Sequence, residues 1–263
     1  MKPVYENWVS HPLKNALMLG TIMLWTAIFA CRLLFPDSTV LRGFLTAVLV
    51  ICFLVCLVFT LLCVNAYDAL DSNKGRRRVA THIVDAVADR VVLNEGQTCL
   101  DVGCGDGQLT IAVGRKNAMA TIVGIDPWPK GADKGHRRCK RNAAAEGVGN
   151  VAFEQGSAIA LDFDDGTFDA VVSNYFYHKV SNKYNKQDLI TESLRVLKKG
   201  GTFVIHDIMN PKHFGDLEQL KSRLLAMGYE RVDIVDTTDG TFLSPVNAKL
   251  LGLAHSTMLI GTK

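Results

Sequence analysis

Cys99-Leu100-Asp101-Val102-Gly103-Cys104-Gly105-Asp106-Gly107 is the stretch on which the reading of this chain turns. Thr98–Val102 is short, apolar and β-branched, the pattern of a buried parallel strand. Three glycines at alternate positions follow, and a turn without Cβ atoms lets a bulky ligand lie against bare backbone. Residues 108–113 then have helical spacing, so the first N–H groups of a helix point back at whatever occupies the turn.

Strand, glycine turn and helix in this order suit a nucleotide-like cofactor, and the spacing narrows the choice. A dinucleotide fingerprint runs Gly-x-Gly-x-x-Gly, but here Gln108 stands where its third glycine would fall, which disfavours a nicotinamide dehydrogenase. A P-loop ends in Gly-Lys-Ser/Thr, and this turn does not. The bland alternative is a glycine-rich βα turn with no ligand.

Outward from this stretch, the chain of 263 residues is long enough for one sizeable domain plus an appendage. The apolar excess lies near the N-terminus. Residues 16–31 carry no charge and continue through Arg32 to Phe35, and residues 43–64 form a second uncharged run; each is long enough to span a bilayer, the first if Arg32 snorkels to the interface. Residues 36–39 between them read as a turn, so residues 1–66 are expected to form a membrane-anchoring helical hairpin. A signal peptide and a buried core hairpin are the alternatives; a second apolar run directly behind the first argues against one, and the lack of a polar face against the other. Lys2 and Lys14 precede the hairpin and Lys74, Arg76, Arg77 and Arg78 follow it, so the positive-inside rule places the C-terminal domain in the cytosol. Residues 67–78 read as a basic linker, its arginines facing either anionic headgroups or water.

Beyond residue 65 the chain carries 25 Lys and Arg against 24 Asp and Glu, a balance that argues against a nucleic-acid partner. Seven cysteines show no paired metal-ligand spacing, and no metal site is expected. The oligomeric state carries no sequence signal.

In chain order, Val79, Ile83, Val84, Val87, Val91 and Val92 recur at helical spacing, as a helix leading into the domain and covering one side of the cofactor pocket. A second buried strand, Thr121–Asp126, ends in an acid about 20 residues past the glycine turn, the place of a carboxylate that takes the two hydroxyls of a ribose. Pro127 and Trp128 follow, the indole lying either near an adenine or under the loop. A basic helix over residues 134–146 stops at Gly147, and residues 151–155 form a third strand. Phe168–Asn174 is a fourth strand, with Asn174 and Tyr175 at its C-terminal end, where α/β sheets place their ligands. Leu197-Lys198-Lys199-Gly200-Gly201 is a turn into a fifth strand that ends at His206-Asp207. Residues 232–236 and 256–261 are closing antiparallel strands, and residues 237–255 between them either line an acceptor pocket, touch a bilayer or cover the sheet.

The glycine turn, Asp126, the Phe168–Asn174 strand and the Lys199-Gly200-Gly201 turn, in this order, resemble the class I S-adenosylmethionine (SAM) dependent methyltransferases over residues 79–263. The resemblance implies a seven-stranded, mostly parallel sheet with helices on both faces, preceded here by the two transmembrane helices. It implies SAM as cofactor and S-adenosylhomocysteine as product. It gives Asp101 the support of the turn, Gly103, Gly105 and Gly107 the methionine part, and Asp126 the ribose, with Pro127, Trp128, Ser157, Ala158 and Asn174 completing the cofactor site. Ser157 departs from the family, which often has Asp there for the adenine amino group, and leaves mainly the Ala158 N–H.

Methyl transfer needs positioning, plus a base if the acceptor is a hydroxyl, thiol or acidic carbon. His178 is the first candidate base, Tyr175 or Tyr177 can orient the acceptor, and His206 is a second candidate base. The anchor points to a lipophilic small molecule or lipid as acceptor, since a tethered enzyme meets membrane-dissolved molecules at high local concentration. A soluble thiol, amine or hydroxyl acceptor, and a non-catalytic SAM-binding scaffold, are the competing readings.

Overall fold

The computed structural model describes residues 2–7, 11–34, 39–71, 79–128, 133–240, 242 and 244–263. It divides into two compact units. One is Glu6–Ala80; the other joins Met1–Tyr5 to Thr81–Lys263.

The first unit is a pair of long helices, α1 (His11–Leu34) and α2 (Thr39–Ala69). Both are apolar enough and long enough to cross a membrane. Their outward faces are apolar, with Leu33 78% and Val40 86% exposed. Polar atoms are turned inward instead. The hydroxyls of Thr21 and Thr60 meet at 2.8 Å, and Thr60 also donates to the Leu17 carbonyl (3.2 Å). Small residues and interhelical hydroxyl bonds are how helices associate where water offers no hydrophobic drive. The turn expected at residues 36–39 and the linker expected at 67–78 lie largely outside the described residues; of the latter, residues 67–69 continue α2.

The second unit is an α/β sandwich. After α3 (Val79–Ala88) come β1 (Thr98–Val102), α4 (Gln108–Lys116), β2 (Thr121–Asp126), α5 (Asp133–Glu146), β3 (Val151–Gln155) and β4 (Phe168–Asn174). α6 (Lys186–Arg195), β5 (Leu197–Ile208), α7 (Pro211–Phe214), α8 (Leu217–Ala226), β6 (Arg231–Asp236), α9 (Pro245–Leu250) and β7 (Ser256–Thr262) complete it. The seven strands lie in the order β3-β2-β1-β4-β5-β7-β6. The first five are parallel, and β7 runs antiparallel between β5 and β6. Both the sheet and its closing antiparallel pair are as expected from the sequence.

Helix ends follow local chemistry. Asn185 and Asp216 accept N–H bonds from Gln187 and Glu218 as N-caps of α6 and α8, and Gly147, at φ 68°, lies just past α5. The core is split by the sheet. The larger side gathers Leu100, Val102, Val171, Ile190, Leu194 and Phe203; the smaller gathers Tyr5, Cys104, Ile111, Trp128, Cys139 and Phe153.

One expectation shifts in detail. Lys199-Gly200-Gly201 is not a turn ahead of β5 but an irregularity within it. Leu197 pairs with Phe168, the register then slips, and Thr202 pairs with Ala170. Gly200 has φ 74°, and a Cβ on Gly201 would lie 2.8 Å from the Asp169 carbonyl oxygen, so the glycine pair is what lets the strand bulge and continue.

Candidate active site

Chain order reverses between β1 and β4, so the crevice at their C-terminal ends is the switch point where open α/β sheets bind ligands. The glycine turn lies there. Gly103 and Cys104 both donate N–H bonds to the Ile125 carbonyl (2.8 and 2.9 Å), which folds the turn back onto β2.

All three glycines have positive φ, between 59° and 85°, but for different reasons. A Cβ on Gly103 would lie 2.0 Å from the Phe176 ring, and one on Gly107 would lie 2.9 Å from the Phe153 ring. At Gly105 no atom lies within 4 Å of that position. Two of the glycines therefore admit aromatic side chains of this protein, and Gly105 alone of the three leaves its bare backbone open.

Asp101, 1% exposed, lies beneath the turn. Its Oδ2 accepts the Thr110 hydroxyl (2.6 Å), while its buried Oδ1 has no hydrogen-bond partner. Burial pushes its pKa up to about 7, against the Thr110 bonds and with help from the Asp126 charge. An unsatisfied buried carboxylate oxygen beside a glycine turn fits a ligand that brings a donor or a positive charge.

Asp126 ends β2 beside the turn. Its two oxygens accept N–H bonds from Gly105 (3.0 Å) and Trp128 (3.1 Å), which hold a carboxylate at the strand end where α/β folds take ribose hydroxyls. Trp128 is packed under the loop. It is 8% exposed, its indole N–H donates to the Gly105 carbonyl (2.9 Å), and Gly135 of α5 passes so close that a Cβ there would meet the ring at 2.4 Å. Pro127 offers its carbonyl to Gln155 (3.0 Å). Ser157 caps its own turn by accepting the Ile159 N–H (3.3 Å), and Ala158 is buried in the larger core. With a buried acid whose second oxygen has no partner among the described residues, an open glycine and a strand-end carboxylate at one sheet edge, these residues fit the SAM cofactor.

The β4 and β5 ends form the other wall. Tyr175 is a non-glycine residue at φ 52°, a costly conformation that swings the chain out of the strand. Its hydroxyl is bonded to Ser256 (2.8 Å), and burial pushes its pKa well up, so it stays protonated. The next residue, Phe176, covers Gly103. Then a short 3-10 turn, Tyr177–Lys179, presents His178.

The two candidate bases differ sharply. His206 is 1% exposed, with Nδ1 on Asn174 and Nε2 on Thr237, both at 2.9 Å. Burial pulls its pKa down to about 4, so it is neutral and both ring nitrogens are engaged. His178 is partly exposed, and its Nδ1 meets the fully buried Asp207 carboxylate at 2.5 Å. Asp207 also accepts the backbone N–H groups of His178 (3.2 Å) and Ile208 (2.7 Å), which fix it in place. A carboxylate on Nδ1 sets the tautomer that leaves Nε2 as the acceptor nitrogen. Among the described residues Nε2 of His178 has no hydrogen-bond partner.

The structure thus brings Asp101, the glycines, Asp126, Asn174, Tyr175, His178 and His206 to one sheet edge. Sequence reasoning missed Phe176, Thr110 and the pairing of Asp207 with His178. Asp207 carried a signal, an acid at the end of an apolar strand whose register sets His206 opposite Asn174. Thr237 and Phe242 of the 237–255 insertion close over His206 together with Ile83, Ala86 and Met258, leaving no room for a water molecule among them. Among the described residues no group of three His, Cys, Asp or Glu could hold a metal ion.

Comparison with known proteins follows the same lines. A family model described as a methyltransferase domain matches residues 93–238. The 27-O-demethylrifamycin SV methyltransferase of Amycolatopsis mediterranei is 26% identical over 63% of this chain and 58% of its own length. A demethylmenaquinone methyltransferase of Tropheryma whipplei is 34% identical over 45% of each chain. The chain thus spans about half the length of the curated relatives it matches. Among solved structures, the [4+2]-cyclase SpnF is 26% identical with a TM-score of 0.52, covering 68% of this chain and 79% of that one. A family model over more than half the sequence, on a sheet of this order with this turn, makes the chain a member of the methyltransferase-domain family, built on the class I SAM-dependent fold.

Proposed function

We propose that this protein is a membrane-anchored methyltransferase that methylates a lipophilic small molecule or lipid bearing a dissociable proton. The observation that carries the reading is the His178–Asp207 pair standing at the same sheet edge as the glycine turn. SAM supplies the methyl group on a sulfonium, and the displacement is in line. Asp126 holds the ribose, the Gly105 backbone admits the methionine part, and Asp101 beneath the turn supplies the acceptor oxygen that is otherwise orphaned. Nε2 of His178 takes the proton of a hydroxyl, thiol or acidic carbon, and Asp207 orients the ring and balances the charge that appears on it. His206 keeps a structural place, neutral and wedged between Asn174 and Thr237.

Two features support the acceptor class. The relatives' names specify demethylrifamycin, demethylmenaquinone and sterol acceptors. The long helices are apolar on their outward faces, and Tyr5 before them and Thr81 after them belong to one unit. Two spans would return the chain to the side it left, and the basic residues flanking the hairpin support the cytosolic side for the α/β unit.

The test is an acceptor screen with methyl-labelled SAM and the full chain in vesicles, comparing membrane extracts with soluble hydroxyl, thiol and amine compounds. Label moving into extracted lipids or quinols supports the reading. Label moving only into soluble compounds overturns the acceptor class, and binding of NAD without SAM overturns the whole assignment.

A further inference from the structure

The chain ahead of the hairpin is part of the α/β unit. Val4 and Tyr5 lie against α5, and Val4 meets there, 138 residues away in sequence, the buried side chain of Asn142. Asn142 is fully buried and uses its amide in three directions. Its oxygen accepts the Val4 N–H (2.8 Å) and its nitrogen donates to the Val4 carbonyl (3.0 Å), so Val4 is held on both sides as if by a neighbouring strand. The remaining amide hydrogen goes to the Asp106 carbonyl (3.1 Å), between Gly105 and Gly107. Both donors of the side chain are consumed, and one of them is spent on the glycine turn itself.

Tyr5 adds a second hold. It is buried, packed in the smaller core with Cys104 of the turn, Trp128 and Cys139, and its hydroxyl bonds the Glu146 carboxylate. The indole of Trp128 in turn bonds the Gly105 carbonyl, so the same cluster grips the turn at Gly105 and Asp106. In a turn whose glycines impose little conformational preference of their own, such outside bonds decide where the backbone stands.

We propose that Val4, Tyr5 and Asn142 act as one clamp that positions the glycine turn for its cofactor, making the segment before the hairpin a determinant of SAM affinity. This rests on the reading of the turn as the SAM site. Asn142 and Tyr5 are positioning residues. They act through the turn, not on the acceptor, so their loss should raise the KM for SAM while leaving the KM for the acceptor alone.

The experiment measures S-adenosylhomocysteine binding by calorimetry to the full chain, wild type and the variants Tyr5→Ala, Asn142→Ala and the double variant. Each single change is expected to weaken binding about tenfold, the order of one lost buried hydrogen bond set. The double variant is expected to be no weaker than the worse single, because a clamp released at one end is already open. Tyr5→Phe, which keeps the ring, retains the fold and is expected to lose two- to threefold in about the same assay. Unchanged affinity in all variants, or losses that multiply in the double variant, overturns the clamp. A wild-type protein that binds no S-adenosylhomocysteine overturns the cofactor reading beneath it, a result that the variant series cannot mimic.

Discussion

The two walls of the crevice are built by different means. On the β1–β2 side the geometry is made by the backbone and by residues close in sequence. Gly103 to Gly107, Asp126 and Trp128 span 26 positions and hold one another through main-chain bonds. On the β4–β5 side the pair comes from positions 29 apart, His178 in the short turn after β4 and Asp207 on β5, joined only when the sheet sets the two strand ends side by side. The glycine turn and its acid form a motif within a short stretch, steadied from outside by Asn142, whereas the His178–Asp207 pair is wholly a tertiary product. A family can therefore keep the first and rebuild the second, as befits a fold that also houses a protein described as a [4+2]-cyclase.

The sharpest way to break this contrast is at Asp207. Asp207→Asn is expected to lower kcat by roughly 10²–10⁴ on a proton-bearing acceptor while SAM affinity holds, because the ring loses its orienting carboxylate. Steady-state kinetics with calorimetry on the same preparation checks it, and an equal loss in SAM binding would merge the two walls.

Next comes Asp101, under the cofactor wall. Its folded pKa of about 7 stands above the ordinary carboxylate value, so the folded state favours the protonated form. That contribution is complete below about pH 4 and disappears as pH rises through 7, a change of about 4 kcal/mol. Asp101→Asn is expected to flatten this part of the profile. Denaturant unfolding at pH 5 and pH 8, followed by Trp128, the one tryptophan of the α/β unit, reads it directly.

A smaller effect joins the walls. Gly103→Ala forces a Cβ into the Phe176 ring at a positive φ and is expected to cost about 2–3 kcal/mol of stability. Adding Phe176→Ala should return the steric part only. Chemical denaturation of the pair gives the coupling, and simple additivity would mean that the ring does not rest on the glycine in solution. Smallest is Asp126→Asn, expected to weaken SAM about tenfold, read by calorimetry, with acceptor KM unchanged.

The same contrast explains what could be read ahead of the structure. The glycine turn, Asp126 and the strands around them were legible because strand hydrophobicity and glycine spacing are local signals. The seven-stranded, mostly parallel sheet followed from the resemblance and the closing antiparallel pair from the pattern of residues 232–236 and 256–261, while the strand order came only with the structure. His178 could be nominated as a residue type, but not its partner, since no spacing rule links position 178 to position 207. Nor could Phe176 be assigned to Gly103: the glycine looks the same in sequence whether ligand or side chain fills the space. Asn142 reads as one polar residue in a basic helix, and its three bonds exist only because residues 4 and 106 arrive from opposite ends of the chain.

That arrival has a timetable. Val4 leaves the ribosome long before Asn142 is made; at 5–20 residues per second the delay is on the order of ten seconds. In that interval the apolar helices are already outside the exit tunnel, while the amide that will receive Val4 has not been synthesised. Val4 therefore has no Asn142 to dock on until both long helices have been made, and the pairing can form only after them.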